Sequence, residues 1–229
     1  MNKNDIEQHA RNLQLRILEQ LGELFPGRTE ISLVEILDPA IAARVLEIRY
    51  EQPYELRLSG LQATRSEVAG LINRQAKKIA VATKFPVETA RFTGAHEIGH
   101  WLLHPNEIMH RDRPIRGLSA EPYTRPRFER EADYFSACFL VPRKRLLKAF
   151  QTTLRTNVPF IFDDNTSFML CPNDAESLLR AEEGSLDRAL ALASATSYAG
   201  RHFNSLASQF GVSVTTMAIR LKEVGLIQK

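Results

Sequence analysis

The stretch RFTGAHEIGHWLLHP, Arg91 to Pro105, decides how the chain is read. Phe92, Ala95, Ile98, Leu102 and Leu103 recur at helical spacing and Pro105 supplies a stop, so a buried or half-buried helix is expected after Pro86. Inside it lies His96-Glu97-Ile98-Gly99-His100. Positions four apart on a helix differ by about 40° in azimuth, so His96 and His100 can each aim one ring nitrogen at a single ion. Glu97, about 100° round from His96, falls beside that ion, where it can take a proton from activated water. Two neutral imidazoles, an open position and a carboxylate base form a donor set suited to catalytic Zn2+.

Such a site needs a third protein ligand. The next helical pattern, about 127 to 141, carries Phe128, Ala132, Phe135 and Phe139 on one face. Glu129 and Glu131 flank opposite edges of that stripe and compete for the role. Asp133 lies four residues after Glu129 on the same face, which favours Glu129. A carboxylate one turn after the ligand could orient a ligand histidine through its other ring nitrogen. His104, one turn past His100, has Trp101 where a His100/His104 pair would need an acid. It reads as a packing or capping residue within reach of the cleft rim. The segment from Pro105 to Arg127 is rich in Pro and Arg with no clear period, and a loop of that length is usually functional or mobile. It holds His110, Arg111, Arg113 and Tyr123, candidates for the cleft rim. A cation there, or Tyr123, would be placed to stabilise an oxyanion.

The Arg91–Pro105 segment, followed by EREADYFSACFLVP from Glu129 to Pro142, resembles the ImmA/IrrE family of metallo-endopeptidases. Members show an RFT-x-AHE-x-GH-x-LLHP helix and then an E-x-x-A-(N/D)-x-F-A-A-x-LLMP helix. The resemblance covers residues 45 to 150 well and the carboxyl end loosely. It implies a zincin-like peptidase core, zinc on His96, His100 and Glu129, and Glu97 as general base. It also implies a protein substrate, a helix-turn-helix repressor cleaved in a stress or mobile-element response. Gly94 stands where the family commonly has a larger apolar residue, Ser136 replaces Ala and Val141 replaces Met. None of these touches the metal chemistry.

Around the motif, apolar residues Ile6, Ala10, Leu13, Ile17, Leu21 and Leu24 predict an amphipathic helix, which occupies an amino-terminal region of residues 1–30. Residues 46–50 (LEIRY) and 54–58 (YELRL) alternate as half-buried strands do, and 67–85 reads as a hairpin about a polar NRQ turn. Together these give an α+β fold with a small antiparallel sheet, within a core domain of 31–155. Residues 156–173 read as irregular, at the head of a helical region of 156–229 with helical patterns at about 174–193 and 202–227. Ser205 to Leu221 has Ala207, Gly211, Val212, Met217 and Leu221 at helix-turn-helix spacing. A recognition helix there would present Thr215, Thr216, Arg220 and Lys222, only two of them basic. The competing reading is a DNA-binding or scaffolding regulator with a structural or vestigial zinc site. The intact Glu97 weighs against it, because a structural site needs no base.

Composition bounds these readings. The chain has 229 residues, 44% hydrophobic and 25% charged, enough for one domain or a domain with a smaller appendage. Thirty Lys plus Arg against 27 Asp plus Glu give +3, too little to mark a nucleic-acid binder. Cys138 and Cys171 form no Cys-x-x-Cys pair, so any zinc must be held by histidine and carboxylate. There is no early apolar stretch and no run of 18 apolar residues, so a cytoplasmic protein without a membrane span is expected. The sequence carries no signature of oligomeric state.

Overall fold

Asn2 accepts a hydrogen bond from the Asp5 amide at 2.8 Å and so starts helix α1, Lys3–Glu19. Ile6, Ala10, Leu13 and Ile17 form its buried stripe. A short α2, Leu21–Leu24, follows before Pro26 and Gly27. Two further short helices depend on caps: Ser32 and Glu35 make a capping box for α3, Leu33–Ile36, and Asp38 caps α4, Pro39–Val45, with Pro39 in the first turn. The computed structural model describes residues 1–56, 68–106, 109–112, 125–156 and 158–228, with 109–112 described by backbone alone. Two compact units divide the chain, Met1–Leu140 and Val141–Lys229.

In the first unit, β1 is Arg49–Glu51, β2 Gly70–Asn73 and β3 Lys78–Val81. The hairpin β2–β3 is antiparallel with Asn73 opposite Lys78, and the Asn73 side chain accepts from the Ala76 amide across the turn. Helix α5 spans Val87–Leu103, and strand β4, Met109–Asp112, pairs antiparallel with β2. Helix α6 spans Arg127–Leu140. The strand order is β1-β3-β2-β4, with β1 parallel to β3. The fold is α+β, but its sheet is mixed instead of wholly antiparallel. Of LEIRY only Arg49 and Tyr50 lie in β1, Leu46 and Glu47 forming a turn with Glu47 at φ +56°, and alternation carries no information on strand direction. Tyr54–Leu56 form no strand; the Tyr54 carbonyl instead accepts from Lys84, and residues 57–58 lie outside the described residues. The 105–127 segment contains β4, because β2 offers it a pairing edge.

Helix ends in this unit are satisfied by long side chains. Gln14 donates to the carbonyls of Cys138 and Phe139, both at 3.0 Å, so α1 closes the end of α6. Arg16 donates to Val45 at the end of α4.

In the second unit, α7 is Arg143–Leu154, α8 Asp164–Leu170, α9 Ala175–Arg180 and α10 Asp187–Ser194. The hairpin strands β5, Ser197–Tyr198, and β6, Arg201–His202, precede α11, Leu206–Phe210, and α12, Val214–Val224. The segment expected to be irregular contains α8, started by an Asp163/Thr166 capping box that period-based reading cannot detect. Phe160 packs among Phe150, Phe162 and Tyr198, and its backbone bonds to Leu226 and Gln228. Gly211 at φ +60° turns the chain between α11 and α12. Arg220, expected on an exposed face of α12, is 2% exposed and donates to the Val141 carbonyl at 3.2 Å. Lys222 bonds to the carbonyls of Gly184 and Ser185. Among the described residues no helix is long and apolar enough to cross a membrane.

Candidate metal centre

Helices α5 and α6 approach closely because Gly99 has no side chain. A Cβ there would lie 3.0 Å from the Phe135 ring and 3.3 Å from the Ala132 backbone. That approach brings Glu129, at the start of α6, to the two histidines of α5. His96 Nε2 and His100 Nε2 are 2.9 Å apart, and the Glu129 oxygens lie 3.2 Å from the first and 3.6 Å from the second. His96 and His100 are fully buried and Glu129 is 8% exposed. Among the described residues, these three form the one group whose ligand atoms could hold a metal ion.

The spacing suits a divalent ion. Tetrahedral ligands about 2.0–2.2 Å from zinc stand roughly 3.3–3.5 Å from one another, close to the separations found here. The chemistry suits it too. Asp133 Oδ2 accepts from Arg125 Nη1 at 2.6 Å, while Oδ1 lies 2.9 Å from His96 Nδ1. The negative charge of Asp133 beside Nδ1 is an ion-pair contact that favours the neutral His96 form with its proton on that nitrogen, which leaves Nε2 free to face the other donors.

Glu97 is fully buried one residue on from His96. Its carboxylate lies flush against the β2 backbone, where a Cβ on Gly70 would overlap Oε1 and lie 2.8 Å from Cδ. The absent side chain of Gly70 is therefore part of how Glu97 is placed. One helical turn earlier, the Tyr50 hydroxyl fills the space a Cβ on Gly94 would take. Burial, then the negative charges of Asp38 and Glu97, push the Tyr50 phenol far above its ordinary range, so it stays neutral.

The two competing acids of α6 have separate surroundings. Glu129 faces His96 and His100, and Arg125 Nη2 donates to it at 3.3 Å. Glu131 turns the other way, to His104 Nε2 at 3.1 Å, Arg127 Nε at 2.8 Å and the amino terminus. Burial would raise its pKa, but hydrogen bonds from the amino terminus, His104 and Arg127 outweigh this and hold it at about 2. His104 ends α5 and sits behind His100, Nδ1 to Nδ1 at 3.0 Å, with Phe128 against both rings. The His110 side chain and the whole of Tyr123 lie outside the described residues.

Three contributors escaped sequence reasoning. Gly70 carried no motif. Arg125 counted only as one of several loop arginines. Arg74, in the β2–β3 turn, donates to the carbonyls of His100, Trp101 and His104 and lies over the Trp101 ring, closing the orphan end of the motif helix.

Residues 45–161, just over half of the chain, match the model of the Peptidase M78 family, described as an IrrE N-terminal-like domain. No curated protein matches the chain.

Proposed function

Because the chain belongs to the IrrE N-terminal-like, M78 peptidase family, we propose that it is a zinc-dependent endopeptidase with a zincin-like core, hydrolysing a peptide bond in a protein substrate. The observation that carries this reading is the buried convergence of His96, His100 and Glu129 beside a buried Glu97. His96, His100 and Glu129 would hold the ion, which when bound supplies Lewis acidity toward water and the peptide carbonyl. Glu97 accepts the proton that water gives up as its oxygen adds to the carbonyl carbon. It then delivers that proton to the amine nitrogen as the C–N bond breaks. Asp133 holds the His96 ring, and Arg125 bridges Asp133 and Glu129, so the donor set is oriented by its own neighbours.

The substrate proposed is a helix-turn-helix repressor, cleaved in the cytoplasm in a stress or mobile-element response. The resemblance of Arg91–Pro105 and Glu129–Pro142 to ImmA/IrrE endopeptidases supports it. We read α11 and α12 as a helix-turn-helix-shaped pair that closes its unit and does not read DNA. The burial of Arg220 and the engagement of Lys222 by Gly184 and Ser185 support that reading. The test is Glu97→Gln beside the parent protein, each incubated with zinc and helix-turn-helix repressors, and scored on a repressor that the parent cleaves. The variant is expected to bind zinc as the parent does and to leave the repressor intact. A variant that cleaves at the parent rate would overturn the mechanism.

A further inference from the structure

We propose that His104 and Glu131 form a positioning relay that presets His100 with its lone pair on Nε2, the state able to accept a divalent metal ion. The inference rests on the metallopeptidase reading, and it gives a role to the acid that lost the competition with Glu129.

The direction of the relay follows from which groups can donate. Glu131 is held as an acceptor, its Oε1 already taking a hydrogen from Arg127 Nε at 2.8 Å. Its Oε2 faces His104 Nε2 at 3.1 Å, so the proton of a neutral His104 belongs on Nε2. His104 Nδ1 is then an acceptor, and it lies 3.0 Å from His100 Nδ1. His100 must therefore donate from Nδ1, which leaves His100 Nε2 unprotonated, 2.9 Å from His96 Nε2 and 3.6 Å from a Glu129 oxygen. Any reversal along the line would put the proton of His100 on the nitrogen that faces the other ligands. The relay is well enclosed, with the side chains of His104 and Glu131 only 12% and 13% exposed and Phe128 packed against both histidine rings. Asp133 lies directly beside His96 Nδ1, so the two ligand histidines face separate acids of one helix, four residues after Glu129 and two.

The test combines two readouts at one fixed pH: the tautomer of His104, from nitrogen-15 histidine spectra of the metal-free protein, and zinc affinity, by competition with a chromophoric chelator. The parent protein is expected to show His104 protonated on Nε2. Glu131→Leu removes the acceptor, so the His104 proton is expected to distribute over both nitrogens and zinc affinity to fall by about 10–100-fold. Glu131→Gln retains a carbonyl acceptor and is expected to recover most of both. His104→Phe keeps a ring against Phe128 but breaks the line; its loss should match that of Glu131→Leu, and the double variant should be no worse than either. Parent-like affinity in both Glu131→Leu and His104→Phe, or a His104 proton on Nδ1 in the parent, would overturn the relay. A parent that binds no zinc would instead remove the metallopeptidase reading, and the His104 tautomer in the parent and in Glu131→Leu would still decide the relay.

Discussion

Replacing Gly70 with alanine isolates the placement of the proposed base from the placement of the metal. The new Cβ would lie 2.8 Å from Glu97 Cδ and 2.8 Å from Thr93 Cγ2, and nearer still to Glu97 Oε1. Ordinary contact begins at 3.4 Å, so the carboxylate carbon must retreat by about 0.6 Å and its oxygen by more. Thr93 is 2% exposed and Glu97 fully buried, which leaves little room for either to yield cheaply. Displacing a reacting group by about 1 Å costs on the order of 100-fold in rate, or ~2.7 kcal/mol of barrier. Overpacking itself should cost a further ~1–3 kcal/mol of stability. The assay measures kcat for peptide cleavage, zinc stoichiometry and Tm together. The expected result is a kcat down about 100-fold with one zinc still bound, because the three atoms nearest the new Cβ belong to Glu97 and Thr93. Cleavage within twofold of the parent would refute the placement argument, as would a loss of activity that tracks a loss of zinc.

The same helix supports a stability prediction at Gly94. Gly94→Ala drives a methyl into the Tyr50 hydroxyl and to 2.9 Å from Pro39 Cβ, and should lower stability by ~1–3 kcal/mol in urea unfolding. Tyr50→Phe should recover part of that loss in a double-mutant cycle; independent, additive effects would contradict the packing described. Asp133→Asn should weaken zinc binding about 10–100-fold in chelator competition, since a neutral amide holds the His96 proton less firmly; unchanged affinity would count against that role. Hydrogen bonds from Arg28 and then from Ser32 hold Glu35 at about 2 instead of 4.5. A lowered pKa means the contribution to stability is present above pH 4.5 and lost as pH falls toward about 2. Carboxyl shifts followed by NMR should titrate near 2, and Arg28→Ala should move the midpoint toward 4.5; an unmoved midpoint would exclude Arg28 as the main cause.

The elements legible in the sequence were those whose reasons are local. Helix α1 was visible in its stripe from Ile6 to Ile17, α5 and α6 in theirs, and the β2–β3 hairpin in two apolar runs about a polar turn. Elements decided by distant partners were not legible. The parallel pairing of Arg49–Glu51 with Lys78–Ala80 and the docking of Met109–Asp112 on β2 depend on chain direction and on an available edge, which alternation does not encode. The short helices α3, α4 and α8 escaped because four to seven residues span fewer than two turns, too few for a stripe to repeat, and their starts depend on single capping side chains. At the site, the i, i+4 spacing of His96 and His100 needed only one helix to be understood. Asp133, four residues on, favoured Glu129 over Glu131 from the sequence, but the separate surroundings of the two acids follow from the rotation of α6 against α5, which the close approach of Gly99 to Phe135 and Ala132 accompanies. The burial of Arg220 was misread for the same reason, since azimuth on one helix does not reveal which neighbour covers it.

The most direct test of the central claim is anomalous X-ray diffraction at the zinc edge from crystals of the zinc-loaded protein. One peak is expected, about 2.0–2.2 Å from Nε2 of His96, Nε2 of His100 and a carboxylate oxygen of Glu129, with Glu97 beside it and unbonded. A peak ligated by Glu131 or Glu97, or one lying away from His96 and His100, would contradict it.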